Sequence, residues 1–367
     1  MNNYIWQQKN WPHFQWNDKE LLNQISKCRL LQGKLLANIS SIGFQYEKQA
    51  QIDILFEEAI TTSAIEGEIL NRDSVRSSIA RKLGLPSAMV SVDRYTDGLI
   101  DVLLDATQKH NKPLNKERIF GWHAALFPTG YSGMYKINVG KWRNEKIQVV
   151  SGRHGKEKIH YEAIAANEVN ESMEYFFKWY KNDKGNIDGL LQAAIAHLWF
   201  VSIHPFDDGN GRIARALTDM ILAQDDHQPM RYYSLSSQIN AERNSYYDIL
   251  EKSQKGDLDI TPWISWFLDC FIRSIERSEK QITLILNKSK FWNKHSQTIL
   301  NERQKKVINK LLDVGKGDFE GGMTNRKYAS ITGISRATAT RELQYLVKVN
   351  IFKQNSGKGR SISYDLI

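Results

Sequence analysis

Cysteine is nearly absent. Cys28 and Cys270 are the only two in 367 residues, too few for a disulfide framework or a thiolate zinc site. Long apolar runs are missing as well. The best candidate, 193–203, is interrupted by His197 and Ser202 and falls short of the roughly 18 residues a membrane helix needs. The start, Met1-Asn2-Asn3-Tyr4, has no basic segment leading into an apolar one, so no cleaved signal is expected. No internal repeat or low-complexity tract is found. These absences point to a reducing cytoplasm and no membrane. What remains is ordinary for a globular protein, 41% hydrophobic and 25% charged, in a chain long enough for two or three domains.

Charge is unevenly placed. Residues 285–367 hold 16 Lys and Arg against 6 Asp and Glu, an excess of +10 in a chain whose net charge is +9. The first 284 residues therefore carry −1. An anionic partner is expected for the C-terminal part, and the body has no electrostatic reason to bind nucleic acid.

Apolar spacing is helical over most of the chain. Leu21, Leu22, Ile25, Leu30, Leu31 and Leu35 follow this period, as do Ile52, Leu55, Phe56, Ala59 and Ile60. Further helices are predicted near 92–107, 163–180, 190–203, 212–224, 241–253 and 262–287. Tryptophans 6, 11 and 16 lie on an extended segment expected to pack over the body. Residues 147–161 differ: Ile147, Val149 and Val150 precede Ser151-Gly152-Arg153-His154-Gly155, and Ile159 and Tyr161 follow, the pattern of a β-hairpin. From 302 onward the predicted order is helix, a short helix ended by Gly333, a third helix capped by Ser335, then a ribbon turning at 357–359. That is the order of a winged helix. Arg336 and Arg341 fall on its third helix, Lys358 and Arg360 on its wing.

Twelve consecutive residues carry the chemistry: His204-Pro205-Phe206-Asp207-Asp208-Gly209-Asn210-Gly211-Arg212-Ile213-Ala214-Arg215. Pro205 ends an apolar helix. The Gly-Asn-Gly backbone can turn successive amides into one concavity, an anion nest. A new helix begins beside it and directs its positive end to the same point. Arg212 and Arg215, three apart, share a helix face and can clasp phosphate oxygens. Asp208 offers a hard oxygen to Mg²⁺. His204 stands at the entrance as a general base, with an ordinary pKa near ~6.5. A di- or triphosphate site beside a base results. A plain glycine turn between two core helices would explain a lone Gly-x-Gly, but not this combination. No Gly-Lys-Ser/Thr follows, so it is not a Walker loop.

This segment resembles the complete signature of Fic-domain proteins, most of which are protein adenylyltransferases. The resemblance implies a mostly α fold: a Fic-type helical bundle with a small β-hairpin flap, plus a C-terminal winged-helix domain. Expected boundaries are 1–90 for an N-terminal helical region, 91–287 for the Fic domain and 295–367 for the winged helix. The implied activity moves AMP from ATP to a Ser, Thr or Tyr hydroxyl of a target protein and releases pyrophosphate. The resemblance makes His204 the base and Asp208 the Mg²⁺ ligand. It makes Gly209, Asn210, Gly211, Arg212 and Arg215 the phosphate site. The flap residues Ser151, Gly152, Arg153 and His154 would line the ATP site, and Tyr246, Tyr247 and Gln254 the adenosine pocket. Gln254 stands where relatives often have Asn. Thr62-Ser63-Ala64-Ile65-Glu66-Gly67 resembles the family's inhibitory motif, with Glu66 as competitor for Arg215 and Thr62 as its support.

Partners implied are ATP, a protein substrate, DNA or protein at the basic C-terminal domain, and a second copy in a homodimer. Alternatives are a DNA-binding regulator with a nucleotide-sensing body, and a de-AMPylase in which Glu66 positions water. His197, Cys28 and Cys270 are expected in the core.

Overall fold

The computed structural model describes residues 4–40, 44–86, 91–152, 158–183, 185–314, 321–356 and 362–367. The protein is mostly α, with small antiparallel hairpins. Helices α1 (Asp18–Ser40), α2 (Phe44–Ile65), α3 (Arg72–Lys82), α4 (Arg94–Gln108) and α5 (Lys116–Leu126) come first. A short hairpin, β1 (Tyr131–Ser132) with β2 (Tyr135–Lys136), precedes a longer one, β3 (Gln148–Ser151) with β4 (Lys158–Glu162). Next come α6 (Val169–Asn182), α7 (Gly189–Ile203), α8 (Asn210–Asp225), α9 (Leu235–Ala241), α10 (Arg243–Gln254) and α11 (Thr261–Lys294). The chain ends with α12 (Glu302–Val314), α13 (Asn325–Thr332), α14 (Arg336–Lys348), and the pair β5 (Phe352–Gln354) and β6 (Tyr364–Leu366).

The chain divides into two compact units. One comprises residues 1–37 and 51–278, the other 38–50 and 279–367. In the first, α7 is the central element. Every residue from Leu190 to Ile203 is buried, which is how a helix apolar on all sides must sit. Asp188 caps it, accepting from the Leu190 amide at 2.9 Å, as Asp93 caps α4 and Asn115 caps α5. Helix α8 packs along α7. Two of the early tryptophans cover the body: Trp11 packs edge-on to Trp199, and the Trp6 indole donates to the Glu162 carbonyl at 2.8 Å. The Trp16 indole turns to Asp18 instead, and residues 5–7 form a short 3-10 helix rather than an extended run.

His197 is fully buried on α7. It bonds Thr218 Oγ1 at 2.9 Å and the Tyr246 hydroxyl at 2.8 Å. Burial lowers its pKa to about 3, so it is a neutral core histidine. Cys28 and Cys270 are buried free thiols.

The second unit has its own apolar core, built on Val307, Ile308, Tyr328, Leu343, Leu346 and Phe352. Ser335 caps α14 through the Thr338 amide, and Gly333 closes α13 at φ +70°. Arg336 and Arg341 are exposed. Lys358 and Arg360 lie outside the described residues, as does the turn at 357–359.

Candidate active site

The site is built where α7 stops. His204 leaves the helix in the left-handed region, φ 53°, and the chain turns through Pro205–Asp208. It re-enters α8 at Gly209, φ +81°. A side chain at 209 would also meet the Phe127 ring at 2.8 Å, so conformation and space both call for glycine.

Several buried groups fix this loop. The Arg143 guanidinium, deep inside, donates from Nε to the His204 carbonyl at 2.7 Å. It also donates to the carbonyls of Glu145 at 2.8 Å and Ile164 at 2.6 Å, and the Arg143 amide donates to Pro205 O at 2.9 Å. The Asn210 side chain closes the turn from the other end. Its Oδ1 accepts from the Phe206 amide at 2.9 Å and its Nδ2 donates to the Phe206 carbonyl at 2.8 Å. Phe206 is fully buried and stacks on His123, centroids 4.1 Å apart. His123 Nδ1 accepts from the Gly140 amide at 3.0 Å, so the proton is on Nε2, which donates to Asp208 O at 3.2 Å. Burial holds the His123 pKa down at about 4. Asp207 accepts from the Asn138 amide at 2.8 Å.

The functional side chains hang on this frame. His204 Nδ1 lies 3.1 Å from the Val201 carbonyl. A carbonyl only accepts, so Nδ1 carries the proton and Nε2 keeps a free lone pair. Burial pushes the imidazole pKa below its usual value, against the pull of that hydrogen bond, so His204 is neutral at pH 7. Asp208 is half-exposed. It accepts from the Gly209 amide at 2.5 Å and from the Ser132 hydroxyl, and lies 3.6 Å from Arg212 Nη2.

Arg212 and Arg215 are almost wholly buried, and carboxylates hold both. Arg215 donates from Nε to Thr62 Oγ1 at 2.7 Å, and from Nη2 to Thr62 O at 2.9 Å and Glu66 Oε1 at 2.7 Å. Burial opposes the charge on Arg215, but Glu66 outweighs it and the pKa is raised. The Glu66 carboxylate presses on the α8 N-terminus: a Cβ built on Gly211 would stand 2.2 Å from Glu66 Oε1. Gly67, at φ +85°, reverses the chain after α2. Glu68 then meets Arg212 Nη1 at 3.2 and 3.1 Å, with the Tyr95 hydroxyl bonded to both.

Helix α10 borders the same place. The Tyr247 hydroxyl donates to Ile65 O at 3.1 Å, next to Glu66. Tyr246 lies beneath it, buried, with its hydroxyl on His197. Gln254 Nε2 donates to Val201 O at 3.3 Å and to Ser202 Oγ at 3.4 Å. The structure thus gathers Thr62, Glu66, His204, Asp208, Gly209, Asn210, Gly211, Arg212, Arg215 and Tyr247 around the turn between α7 and α8. Ser151 and Gly152 stand at the end of β3. Arg153 and His154 lie outside the described residues. Arg143, His123, Tyr95 and Glu68 are supports that the sequence reading does not find. For Glu68 there is a signal: a second carboxylate directly across Gly67 from Glu66.

Comparison with known proteins agrees with this layout. Residues 113–222 match the Fic/DOC family model. Residues 4–85 match a family described only as a domain of unknown function (DUF4172). A protein adenylyltransferase Fic from Nematostella vectensis is 24% identical over 265 residues, 71% of this chain and 56% of that protein. One from Aedes aegypti is 32% identical over 239 residues, 63% of this chain and 42% of its own. The chain thus spans about half the length of these curated relatives. In fold, a Fic family protein from Desulfovibrio desulfuricans G20 superposes with a TM-score of 0.55 at 18% identity, covering 95% of both chains. A Fic domain containing signaling protein from Bacteroides thetaiotaomicron VPI-5482 gives a TM-score of 0.50 at 20% identity, covering 71% of this chain and 98% of its own. With the signature loop inside the matched stretch, residues 113–222 form a Fic domain.

Proposed function

We propose that the protein transfers AMP from ATP to a hydroxyl group of a target protein, releases pyrophosphate, and is restrained by Glu66. The observation that carries this reading is the seat of the Glu66 carboxylate. It touches Gly211 at the α8 N-terminus and bonds Arg215, so a protein anion rests where backbone amides, a helix dipole and two arginines converge. A polyphosphate suits the same seat.

In the proposed step, the target hydroxyl gives its proton to His204 Nε2 and its oxygen bonds to the α-phosphorus. The bond from that phosphorus to the bridging oxygen breaks and pyrophosphate departs. Arg212, Arg215 and the α8 amides offset the charge that collects on the leaving group. The tautomer set by Val201 and the lowered pKa together keep Nε2 able to accept.

A magnesium ion fits the donor set around Asp208. Among the described residues no three His, Cys, Asp or Glu side chains are grouped to hold a metal. A single half-exposed carboxylate matches an ion that keeps its waters and takes the rest of its shell from phosphate oxygens. Bound there, Mg²⁺ would neutralise phosphate charge.

While Glu66 holds Arg215, that arginine is not free for an outer phosphate oxygen. Thr62, bonded to Arg215 through hydroxyl and carbonyl, supports the same pose. The basic second unit is read as accessory, placing an anionic partner rather than catalysing. The test is incubation with α-phosphate-labelled ATP and Mg²⁺, with and without a cell lysate, comparing wild type with Glu66→Gly. Label on protein, stronger in the variant, is the expected result. Absence of label from both proteins, with folding confirmed by melting, removes the reading.

A further inference from the structure

The shorter hairpin reaches the active-site loop from outside the helical frame and carries a hydroxyl to Asp208. Strands β1 and β2 are joined by the two-residue turn Gly133-Met134. Gly133 has φ +54°, the left-handed value that tight hairpin turns ask of glycine. The register pairs Ser132 with Tyr135 next to that turn. Ser132 Oγ donates to Asp208 Oδ2. Two residues past β2, Asn138 donates to Asp207 Oδ2 from its amide at 2.8 Å and from Nδ2 at 3.0 Å. The hairpin is thus fastened to both neighbouring aspartates of the loop.

The two carboxylate oxygens of Asp208 differ in their surroundings. Oδ1 accepts from the Gly209 amide at 2.5 Å and lies 3.6 Å from Arg212 Nη2. Oδ2 has Ser132 as its donor among the described residues. A guanidinium repels a second cation, so Oδ2 is the oxygen open to one. Each carboxylate oxygen has about two lone-pair positions. The serine hydroxyl fills one at Oδ2 and leaves the other. His123 Nε2 holds the Asp208 carbonyl at 3.2 Å, which fixes the backbone but not the rotation of the carboxylate. Of the two bonds that set this rotation, one is local to the loop, and the other comes from a residue 76 positions away.

Space agrees with this. A cavity of about 380 Å³ opens at Asp208, and Ser132, Asn138 and Asp207 share its wall. An ion that keeps several waters needs such room, at about 30 Å³ for each water. Two lysines also line it. Lys146 lies 2.8 Å from Glu162, which answers its charge. Lys136 is exposed on β2, where solvent and salt screen it. An ion held by one carboxylate depends on how that carboxylate is aimed, and outer-shell partners that aim a ligand are worth roughly 10–100-fold in metal affinity.

We propose that Ser132 is a positioning residue for the metal ligand: its hydroxyl fixes the rotation of the Asp208 carboxylate and so presents Oδ2 to Mg²⁺. The inference rests on the reading of Asp208 as the Mg²⁺ ligand. Without the hydroxyl, the carboxylate keeps only the Gly209 bond. It is then free to turn further towards Arg212, where it pairs with a guanidinium instead of a metal ion.

The test is calorimetric, on the full chain carrying Glu66→Gly. The probe is α,β-methylene ATP, whose carbon bridge blocks transfer. Its Kd is measured with Mg²⁺ and with EDTA, and the ratio of the two is the metal enhancement. Ser132→Ala should lower that enhancement on the order of 10-fold and leave the Kd in EDTA unchanged. Ser132→Thr, which keeps the hydroxyl, should retain it. In Asp208→Ala the enhancement should disappear, and adding Ser132→Ala should change nothing more. An enhancement that survives in folded Ser132→Ala but not in Asp208→Ala overturns this inference and leaves Asp208 as the ligand. Equal losses of affinity with Mg²⁺ and with EDTA in Ser132→Ala would make the serine a structural prop, and overturn it as well. An enhancement unchanged in Asp208→Ala, or no binding of the analogue to any of these proteins, removes the Mg²⁺ reading and this inference with it.

Discussion

Three arginines of the first compact unit and two of the second live in opposite environments. Arg143, Arg212 and Arg215 are 2%, 3% and 2% exposed, and each meets carbonyls or carboxylates at hydrogen-bond distance. Arg336 and Arg341, in the other unit, are exposed. Yet the formal excess of +10 belongs to residues 285–367, while the stretch holding the buried arginines sums to −1. Net charge marks where charges are solvated. The chemistry assembles where a few charges are stripped of water and given fixed partners, because attraction there is screened far less.

The sharpest way to test that contrast is at His204. His204→Ala should cut AMP transfer by about 10²–10⁴-fold. ATP affinity, read by calorimetry, should stay close to wild type, because the nest and both arginines are untouched. Near-normal transfer would remove His204 from the reaction. Next in size is Glu66→Gly, which frees one buried arginine. A phosphate misplaced by about 1 Å costs on the order of 10²-fold in rate, and a rise of that order in labelling is expected. Glu66→Gly combined with His204→Ala should return target labelling to background.

Arg143 is the buried arginine with a structural task. Arg143→Met leaves the carbonyls of His204, Glu145 and Ile164 without this donor. At about 1–3 kcal/mol for each orphaned group, a loss of about 3 kcal/mol in unfolding free energy is expected, visible as a lower melting temperature. An unchanged melting curve would show that water replaces the guanidinium.

Acid should act through the imidazoles. Because burial lowers the pKa of His204, its neutral form persists below the ordinary value near ~6.5. The acid limb of the transfer rate should therefore lie under that pH, and a limb at or above it would contradict the buried environment. Stability has its own window. His123 and His197 stay neutral in the fold down to about 4 and about 3, whereas in the unfolded chain they take up protons near ~6.5. Unfolding binds protons between those values, so the melting temperature should drop as pH falls from about 6.5 towards 4.

The smallest effect is expected on the solvated side. Replacing Arg336 and Arg341 together by Ala should change self-labelling by less than about twofold, since exposed substitutions usually cost within ~0.5 kcal/mol. A large loss in that folded variant would give the second unit a direct part in transfer.

Legibility in the sequence follows the range of the contacts. The loop is readable because His204, Asp208, the two glycines and both arginines fall within twelve residues, where spacing alone decides what shares a face. The supports are not readable. Arg143 reaches a carbonyl 61 positions away, His123 one 85 away, and Glu68 meets an arginine 144 away, separations on which local periodicity says nothing. The main helices are legible from their apolar period, with ends displaced where backbone turns rather than hydrophobic residues decide: α8 begins at Asn210, directly after the positive φ of Gly209, not at 212. The sequence reading assigns no element to residues 116–126, although Ile119, Trp122, His123 and Leu126 form the buried stripe of α5. The strands β1 and β2, two residues each and largely exposed, carry too few side chains to show an alternation.

The contact between Glu66 and Gly211 has a consequence for how restraint would respond to concentration. On the proposed reading, the competitor for the nucleotide's outer phosphates is covalently part of the chain it restrains. A tethered ligand presents an effective concentration set by its tether, on the order of millimolar for a short flexible one, and higher when a helix already aims it. Diluting the protein does not weaken such a competitor, and removing small molecules does not wash it away. Only a force on α2, or a ligand arriving at comparable local abundance, can unseat it.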